Sequence, residues 1–505
     1  MVCKLLLPHR KKCWYFDITK RLSLTLARAD VDSALSRERS EPASGARPRP
    51  MNKVLMLAYR FPPQGGGGVQ RTLKFVKYLP QWGWLPVVHT VSNAYWPLQD
   101  VTLLAEIPKA VTVHRTRTFE FEKLGHSTDA LLSGRGSQRG RADDERSVRT
   151  ARRASLRRLL SGAAGVVTRH LLVPDPQIAW IPAALVKSLY LARKEGVALI
   201  YSSSPPNSSQ VLALLLKRIL RRPWIADFRD PWTEGIRRKQ AYAKSRGRGR
   251  LEGVLERSVI SHADHVVVTT EKTLEQFLLK YPSIARDKYS VIPNGFDPAD
   301  FSLAPSRERL LDPEKFNLTL TGNVEAMFDA VPFFRALKDL LDEDDAIRAR
   351  LQVNFIGTKR GKYDAYISDN GLAGHVRYVG YVPHQVSLRY LAESDVLFLC
   401  QIPVYESAST KLSGKLFEYL YMRKPILALT IPGLTTEILA RSGLGVSVDP
   451  NDEPGIKKAV RDLYREWRES RGARQVDEAY ISRFDRARQT EQLAGLFDRL
   501  VGRLG

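Results

Sequence analysis

Short apolar runs recur along this chain, and between most of them the apolar residues fall three or four apart. The first run, "KVLMLAY" (53–59), ends in a Pro/Gly cluster. "GVQRTLKFVKYLPQWG" follows, with Val69, Leu73, Val76 and Leu79 on one helical face. "LPVVHTV", "VALIYSS" (197–203), "PWIADFRD" (223–230) and "HADHVVVTT" continue the series, with helices over 208–220 and 271–280. The second half repeats the pattern at 316–322, 351–357, 375–380, 395–400, 425–430 and 445–450. Strands buried on both faces read as apolar throughout, and strands separated by helices pair in parallel. The chain therefore predicts an α/β protein with two doubly wound parallel sheets. Asn294-Gly295, flanked by prolines in "VIPNGFDPADF" (291–301), reads as a turn-rich junction between them.

With 505 residues the chain can build two or three domains. Residues 1–50 contain "SRERSEPASGARPRP" and read as a disordered basic extension, with folded sequence from Met51. A first domain is expected over 51–290 and a second over 291–478. The last segment, 479–505, contains an amphipathic helix, "YISRFDRARQTEQLAGLFDRLV". No run of about 18 apolar residues suggests a spanning helix. Three cysteines without metal-ligand spacing fit a reducing compartment and argue against a structural zinc. The net charge of +25 is local: 1–50 carries +6, 133–170 carries +7 and 217–257 carries +8. Such stretches suit an acidic membrane surface or a polyanion, or are solvated insertions.

The loop "FPPQGGGGVQRTLKFVKYL" stands at the carboxyl end of the first strand, where open parallel sheets bind ligands. Glycines there let backbone approach a ligand with no Cβ in the way. The dinucleotide fingerprint fails, because counting from Gly65 its sixth position is Gln70. A P-loop fails too, since the only Gly-Lys, Gly414-Lys415, precedes Leu416. In "ESASTKLSGKLFEYLYMRKPILAL" (406–429), Ser409 and Ser413 are candidate caps, and Lys411, Lys415 and Glu418 fall on one polar stripe. Two lysines and a glycine at a helix start suit a pyrophosphate, and a carboxylate one turn on can accept two ribose hydroxyls. A salt-bridged surface stripe would share that spacing. Its place after the strand "DVLFLC" favours the ligand site.

These stretches, with "PDPQIAWIPA" (174–183), "IYSSSPPNSS" (200–209), "TGN" (321–323) and "SGKLFEYLYMRKPIL", resemble family 4 glycosyltransferases over roughly 51–500. The likeness is greatest to bacterial members that build exopolysaccharide or lipopolysaccharide. It implies the GT-B fold, two Rossmann-like domains facing across a cleft, with the terminal helix crossing back to the first. It also implies transfer of a sugar from a nucleotide diphosphate sugar to a glycan or polyprenyl- or lipid-linked acceptor, with retention. Such an enzyme would work at the cytoplasmic face of the membrane in cell-surface polysaccharide synthesis, with no cofactor and no metal. By resemblance, Lys411, Lys415 and Glu418 are catalytic, with Glu418 on the ribose. Donor contacts would come from Gly66, Gly67, Gly68, Gly322, Asn323, Ser413 and Gly414.

The chain departs from the family in three places. Thr410 replaces a glutamate that many members carry eight residues before Glu418. Ser202, Ser203 and Ser204 stand where many have a histidine, so Ser203 and Ser204 or nearby backbone would contact sugar. "TGNVEAMFDA" lacks a common arginine. Asp227, Arg229 and Asp230, past a strand end, either orient the acceptor or form an internal salt bridge. Two other functions fit parts of the sequence. A nucleotide-sugar epimerase of the same fold would bind the same nucleotide without an acceptor. A nucleic-acid-binding protein is prompted by the pI near 9.9, but the basic stretches lack interleaved aromatics and match no recognition module, so nucleic acid is not an expected partner.

Overall fold

The computed structural model describes residues 51–94, 98–119, 172–233, 246–302, 308–322, 329–357, 361–400, 412–469 and 474–502. Residues 51–505 form one compact unit, distinct from 1–50. The expectations for 1–50 and 133–170, and those for Asn323 and Lys411, fall outside the described residues.

Two wholly parallel sheets carry the unit. The first has seven strands in the order β3-β2-β1-β4-β5-β6-β7. They are β1 (Asn52–Leu57), β2 (Trp84–Val91), β3 (Thr112–Thr116), β4 (Leu199–Ser204), β5 (Trp224–Phe228), β6 (His265–Val268) and β7 (Tyr289–Val291). The second runs β10-β9-β8-β11-β12-β13. Its strands are β8 (Phe316–Thr321), β9 (Leu351–Ile356), β10 (Val376–Gly380), β11 (Val396–Cys400), β12 (Ile426–Leu429) and β13 (Gly445–Val448). In both orders the chain starts mid-sheet, runs to one edge and returns to the other side. That switch opens a crevice beyond the strand carboxyl ends.

Each sheet is covered on both faces. On the first sheet, α2 (Ile181–Glu195), α3 (Ser208–Leu220), α4 (Arg246–His262) and α5 (Glu271–Lys280) share one core. The other face holds α1 (Gly67–Tyr78) and the terminal helix, α11 (Arg486–Gly502). Phe497 of α11 meets Trp84 edge-on at 5.1 Å, and the Trp84 indole donates to Asp498 at 2.8 Å. On the second sheet, α6 (Val331–Glu343) and α10 (Glu453–Arg468) face α7 (His384–Glu393), α8 (Gly414–Met422) and α9 (Leu434–Ser442) across the strands.

The chain crosses between the sheets twice, and the two crossings pair with each other. Phe296 N donates to Phe484 O at 2.9 Å, and Arg486 N donates to Phe296 O at 2.9 Å. Asn294-Gly295, a turn by sequence, forms no turn here and leads into the bridge between Phe296 and Asp485. A Cβ on Gly295 would lie 1.9 Å from the Phe484 carbonyl, so the close backbone approach requires glycine.

Helix α1 differs from its sequence pattern in a way that matters for the crossing. Its apolar face is buried as expected, but Arg71 and Lys74 are also buried, each 1% exposed. The crossings cover that side of the helix, and both cations are neutralised there. The Arg71 guanidinium grips Asp227 at 2.8 and 2.9 Å and donates to Pro293 O at 2.8 Å. Lys74 meets Glu106, Asp297 and Asp300.

Candidate active site

A cleft of about 370 Å³ opens beyond the carboxyl ends of β1, β4, β5 and β6. Gly67 and Gly68 line it on one side, Arg229 and Asp230 on another, and Leu412 comes from the segment leading into α8. Gly66 caps α1 at φ 91, a left-handed conformation that side chains rarely adopt. Gly67 is exposed, and a Cβ built on it meets no atom within 4 Å. The start of α1 at Gly67 and Gly68 therefore opens on the cleft, while the Val69 N–H is taken by Gly66 O. The first turn of α5 reaches it as well, through Thr270 and Thr273.

The second domain contributes α8. Ser413 occupies the cap position, but its hydroxyl makes no cap bond; its carbonyl takes the Leu416 N–H, and no side chain caps the N–H groups before it. Because the helix begins at Gly414, the stripe read from the sequence reduces on the helix itself to Lys415 and Glu418. Leu416, Phe417 and Leu420 are fully buried and fix the helix on the sheet. Tyr419 adds direction. Its hydroxyl takes a hydrogen bond from Thr321 N at 3.1 Å and reaches Phe398 O at 3.3 Å. One ring thus ties α8 to the carboxyl ends of β8 and β11, beside Gly322, which follows β8 at φ 119.

Lys415 is the cation of this corner. Burial pushes its ammonium below the ordinary lysine value, and Glu418 draws it back up. Among the described residues Lys415 forms no ion pair or hydrogen bond, so its burial is offset there only by the nearby Glu418 charge and Cys400. Glu418 accepts from the His384 imidazole at 3.1 Å. Burial pulls that imidazole down, but the Glu418 hydrogen bond and charge outweigh it and raise its pKa. Next to His384, Gln385 donates to Asp300 O at 3.3 Å. A polar chain therefore runs from Lys74 on α1 through Asp300 and α7 to Glu418.

On the first domain the expected acceptor residues divide. Asp227 is fully buried and spent: besides Arg71 it accepts from Tyr201 at 2.8 Å and Ser203 at 3.0 Å. Burial alone would raise its carboxyl, but the Arg71 guanidinium outweighs burial and holds it below the carboxylate range. Ser204 donates to Asp227 O at 3.4 Å and is also fully buried. Asp227 thus takes the internal salt bridge of its two sequence readings, while Ser203 and Ser204 face inward, against the expectation that they contact sugar. The reason is that the β4 and β5 ends needed polar partners for the buried Arg71. Arg229 stays in the cleft wall and donates to the carbonyls of Ser204, Pro205 and Gly68, fastening the glycine loop to the β4 turn. Asp230 is exposed on the same wall.

One trio of carboxylates, Glu106, Asp297 and Asp300, lies close enough to share a cation. The Lys74 ammonium already sits among them, 2.9 Å from Asp297, with Lys77 2.7 Å from the same carboxylate. That chemistry is a lysine-centred cluster and fits a metal poorly.

Sequence reasoning did not single out Arg71, Lys74, His384 or Tyr419. Arg71 and Lys74 look like the exposed side of an amphipathic helix. His384 and Tyr419 gain meaning only from what the fold sets beside them.

A model of Glycosyltransferase Family 4 matches residues 119–300, and one of Glycosyl transferases group 1 matches 314–466, together about two thirds of the chain. The chain carries a family 4 and a group 1 glycosyltransferase domain in tandem. The first match begins after β3, so the glycine loop lies outside it. Among solved structures, sucrose-phosphate synthase from Thermosynechococcus elongatus superposes with TM-score 0.54 at 14% identity, covering 89% of this chain and 99% of that one. HepE from Anabaena in complex with UDP gives 0.53 at 13%, covering 89% and 100%. The HepE complex with UDP-glucose gives 0.53 at 14%, covering 88% and 99%. At these identities the likeness is one of fold: two Rossmann-like domains in the GT-B arrangement. No curated protein sequence matches the chain.

Proposed function

We propose that this glycosyltransferase moves a hexose from a uridine diphosphate sugar to a glycan or polyprenyl- or lipid-linked acceptor, with retention, in cell-surface polysaccharide synthesis. The observation that carries the reading is Lys415, a half-buried cation that forms no ion pair or hydrogen bond among the described residues, one turn before a partly exposed carboxylate on the same helix. Glu418 would take the ribose hydroxyls. Lys415, the open first turn of α8 and Lys411 would hold the diphosphate. Cleavage of the bond between the anomeric carbon and the phosphate oxygen leaves negative charge on the diphosphate, where those groups stabilise it. The acceptor hydroxyl oxygen forms the new bond to the anomeric carbon, and its proton passes to the departing phosphate oxygen. Gly67 and Gly68 admit the phosphates or the sugar from the first-domain side. No catalytic step is assigned to a metal. UDP is favoured as the nucleotide because HepE binds UDP and UDP-glucose in this fold. Among the described residues no helix is long and apolar enough to cross a membrane, and the enzyme is proposed to meet its acceptor at the inner face of the plasma membrane.

The test is to incubate the purified protein with UDP-glucose, UDP-galactose, UDP-N-acetylglucosamine or GDP-mannose, a lipid extract and EDTA. Release of UDP with a glycosylated product of unchanged anomeric configuration is expected. Conversion of the UDP-sugar to its epimer without an acceptor would instead assign the alternative activity.

A further inference from the structure

The helix layer over the first sheet is turned the wrong way for a surface that faces only water. On α4 the two acidic residues, Glu252 and Glu256, are buried at 1% and 0% exposure. Glu252 pairs with Arg248 at 2.8 Å, and Glu256 pairs with Lys280 at 2.5 Å. Leu251 and Val254, one turn apart, are 48% and 65% exposed. Arg250 and Arg257 stand on either side of them in the same helical stripe. At the carboxyl end of α4, where Arg218 of α3 meets His262, α3 presents Ile219, 50% exposed, with Arg221 and Arg222 beside it. Among the described residues those four arginines form no ion pair.

We infer that this face, formed by α4 and the end of α3, docks the enzyme on an anionic lipid bilayer. A bilayer offers what the face lacks on both counts. Lipid phosphates would neutralise the arginine heads, and the acyl boundary would take up Leu251, Val254 and Ile219, with the arginine stems lying along them. A soluble polyanion would satisfy the arginines and leave the apolar side chains in water. A second copy presenting the same patch would set arginine against arginine. The placement also fits the wider surface. Among the described residues, twelve large hydrophobics are well exposed within 51–279, whereas Tyr381 alone is so in the second domain. Docking through the first domain would leave the second free to exchange nucleotides.

The full chain would be sedimented with phosphatidylcholine vesicles and with the same vesicles containing phosphatidylglycerol, without nucleotide. Two variants are compared: Leu251→Gln/Val254→Gln, and the fourfold change of Arg221, Arg222, Arg250 and Arg257 to Gln. All six side chains are exposed, so unchanged melting temperatures verify the fold. Wild type is expected to bind the anionic vesicles preferentially. Each arginine near such a surface is worth about fivefold in partitioning, so the fourfold variant loses about a hundredfold or more. The apolar variant loses about tenfold. Wild-type partitioning by both variants would overturn the inference. So would duplex DNA binding as tight as vesicle binding and indifferent to Leu251→Gln/Val254→Gln, or a concentration-dependent dimer that this variant dissolves. No nucleotide enters the assay, so its failure and that of the transferase reading are separately visible.

Discussion

Replacing Asp227 by Asn removes one charge from a pair sealed between α1, β5 and the crossing strand. Asp227 is 0% exposed and Arg71 is 1% exposed. The carboxylate accepts from Arg71 Nε at 2.9 Å, from a terminal nitrogen at 2.8 Å, from Tyr201 at 2.8 Å and from Ser203 at 3.0 Å. An amide keeps one acceptor oxygen and turns an N–H toward the guanidinium. Arg71 is then a buried charge whose remaining compensation is chiefly the Pro293 carbonyl. Breaking a buried pair in this way costs about 3–5 kcal/mol, a large part of a typical stability of about 5–15 kcal/mol. At about 2–4 °C per kcal/mol for domains of this size, the melting temperature should fall on the order of 10 °C. The double change Arg71→Met/Asp227→Leu should recover much of the loss, because it leaves no lone charge. Thermal and urea unfolding followed by tryptophan fluorescence reads both. If Asp227→Asn melts within about 2 °C of wild type and instead raises the acceptor KM, Asp227 is a substrate contact and the strut is wrong.

Three further perturbations separate scaffold from site. Tyr419→Phe leaves the Thr321 N–H unsatisfied under α8, costing about 1–3 kcal/mol of stability, and calorimetry should show UDP binding weakened several-fold as Lys415 and Glu418 lose their fixed position. Gly67→Val points into open space, so melting should stay near wild type while UDP-sugar turnover is lost; retained turnover would remove the glycine loop from the ligand. Burial pushes the His89 imidazole down from 6.5 to about 3, with His114 and Lys187 adding to it. The unfolded chain then takes up a proton that the folded one refuses. Stability should fall by up to about 1.4 kcal/mol per pH unit on going below about 6.5, and His89→Gln should flatten that slope in urea titrations between pH about 7.5 and 5.

How far these residues could be read in advance depended on whether their meaning was local. The buried strands of both sheets were legible because a strand covered on two faces is apolar throughout. β3, "TVHRT", and the three-residue β7 were not, since the first is polar and only half-buried and the second is too short to carry a signal. Lys415 and Glu418 could be picked out because one helix spaces them and a strand end precedes it. Arg71 and Asp227, 156 positions apart, became partners only through the fold, which decided between the acceptor contact and the internal salt bridge that the sequence left open for Asp227. Gly295 looked like a turn because its reason, the Phe484 carbonyl, lies far along the chain.

The central claim is that Lys415 and Glu418 build the nucleotide site. A thermal-shift comparison of UDP, GDP, ADP and CMP on wild type and Glu418→Ala, with EDTA throughout, tests it most directly. A nucleotide at 100 times its dissociation constant adds about 2.7 kcal/mol. UDP is predicted to stabilise wild type by that order and Glu418→Ala far less, with GDP, ADP and CMP weaker on both. Equal stabilisation of the two proteins by UDP, or none of a well-folded wild type by any of the four, would contradict the account.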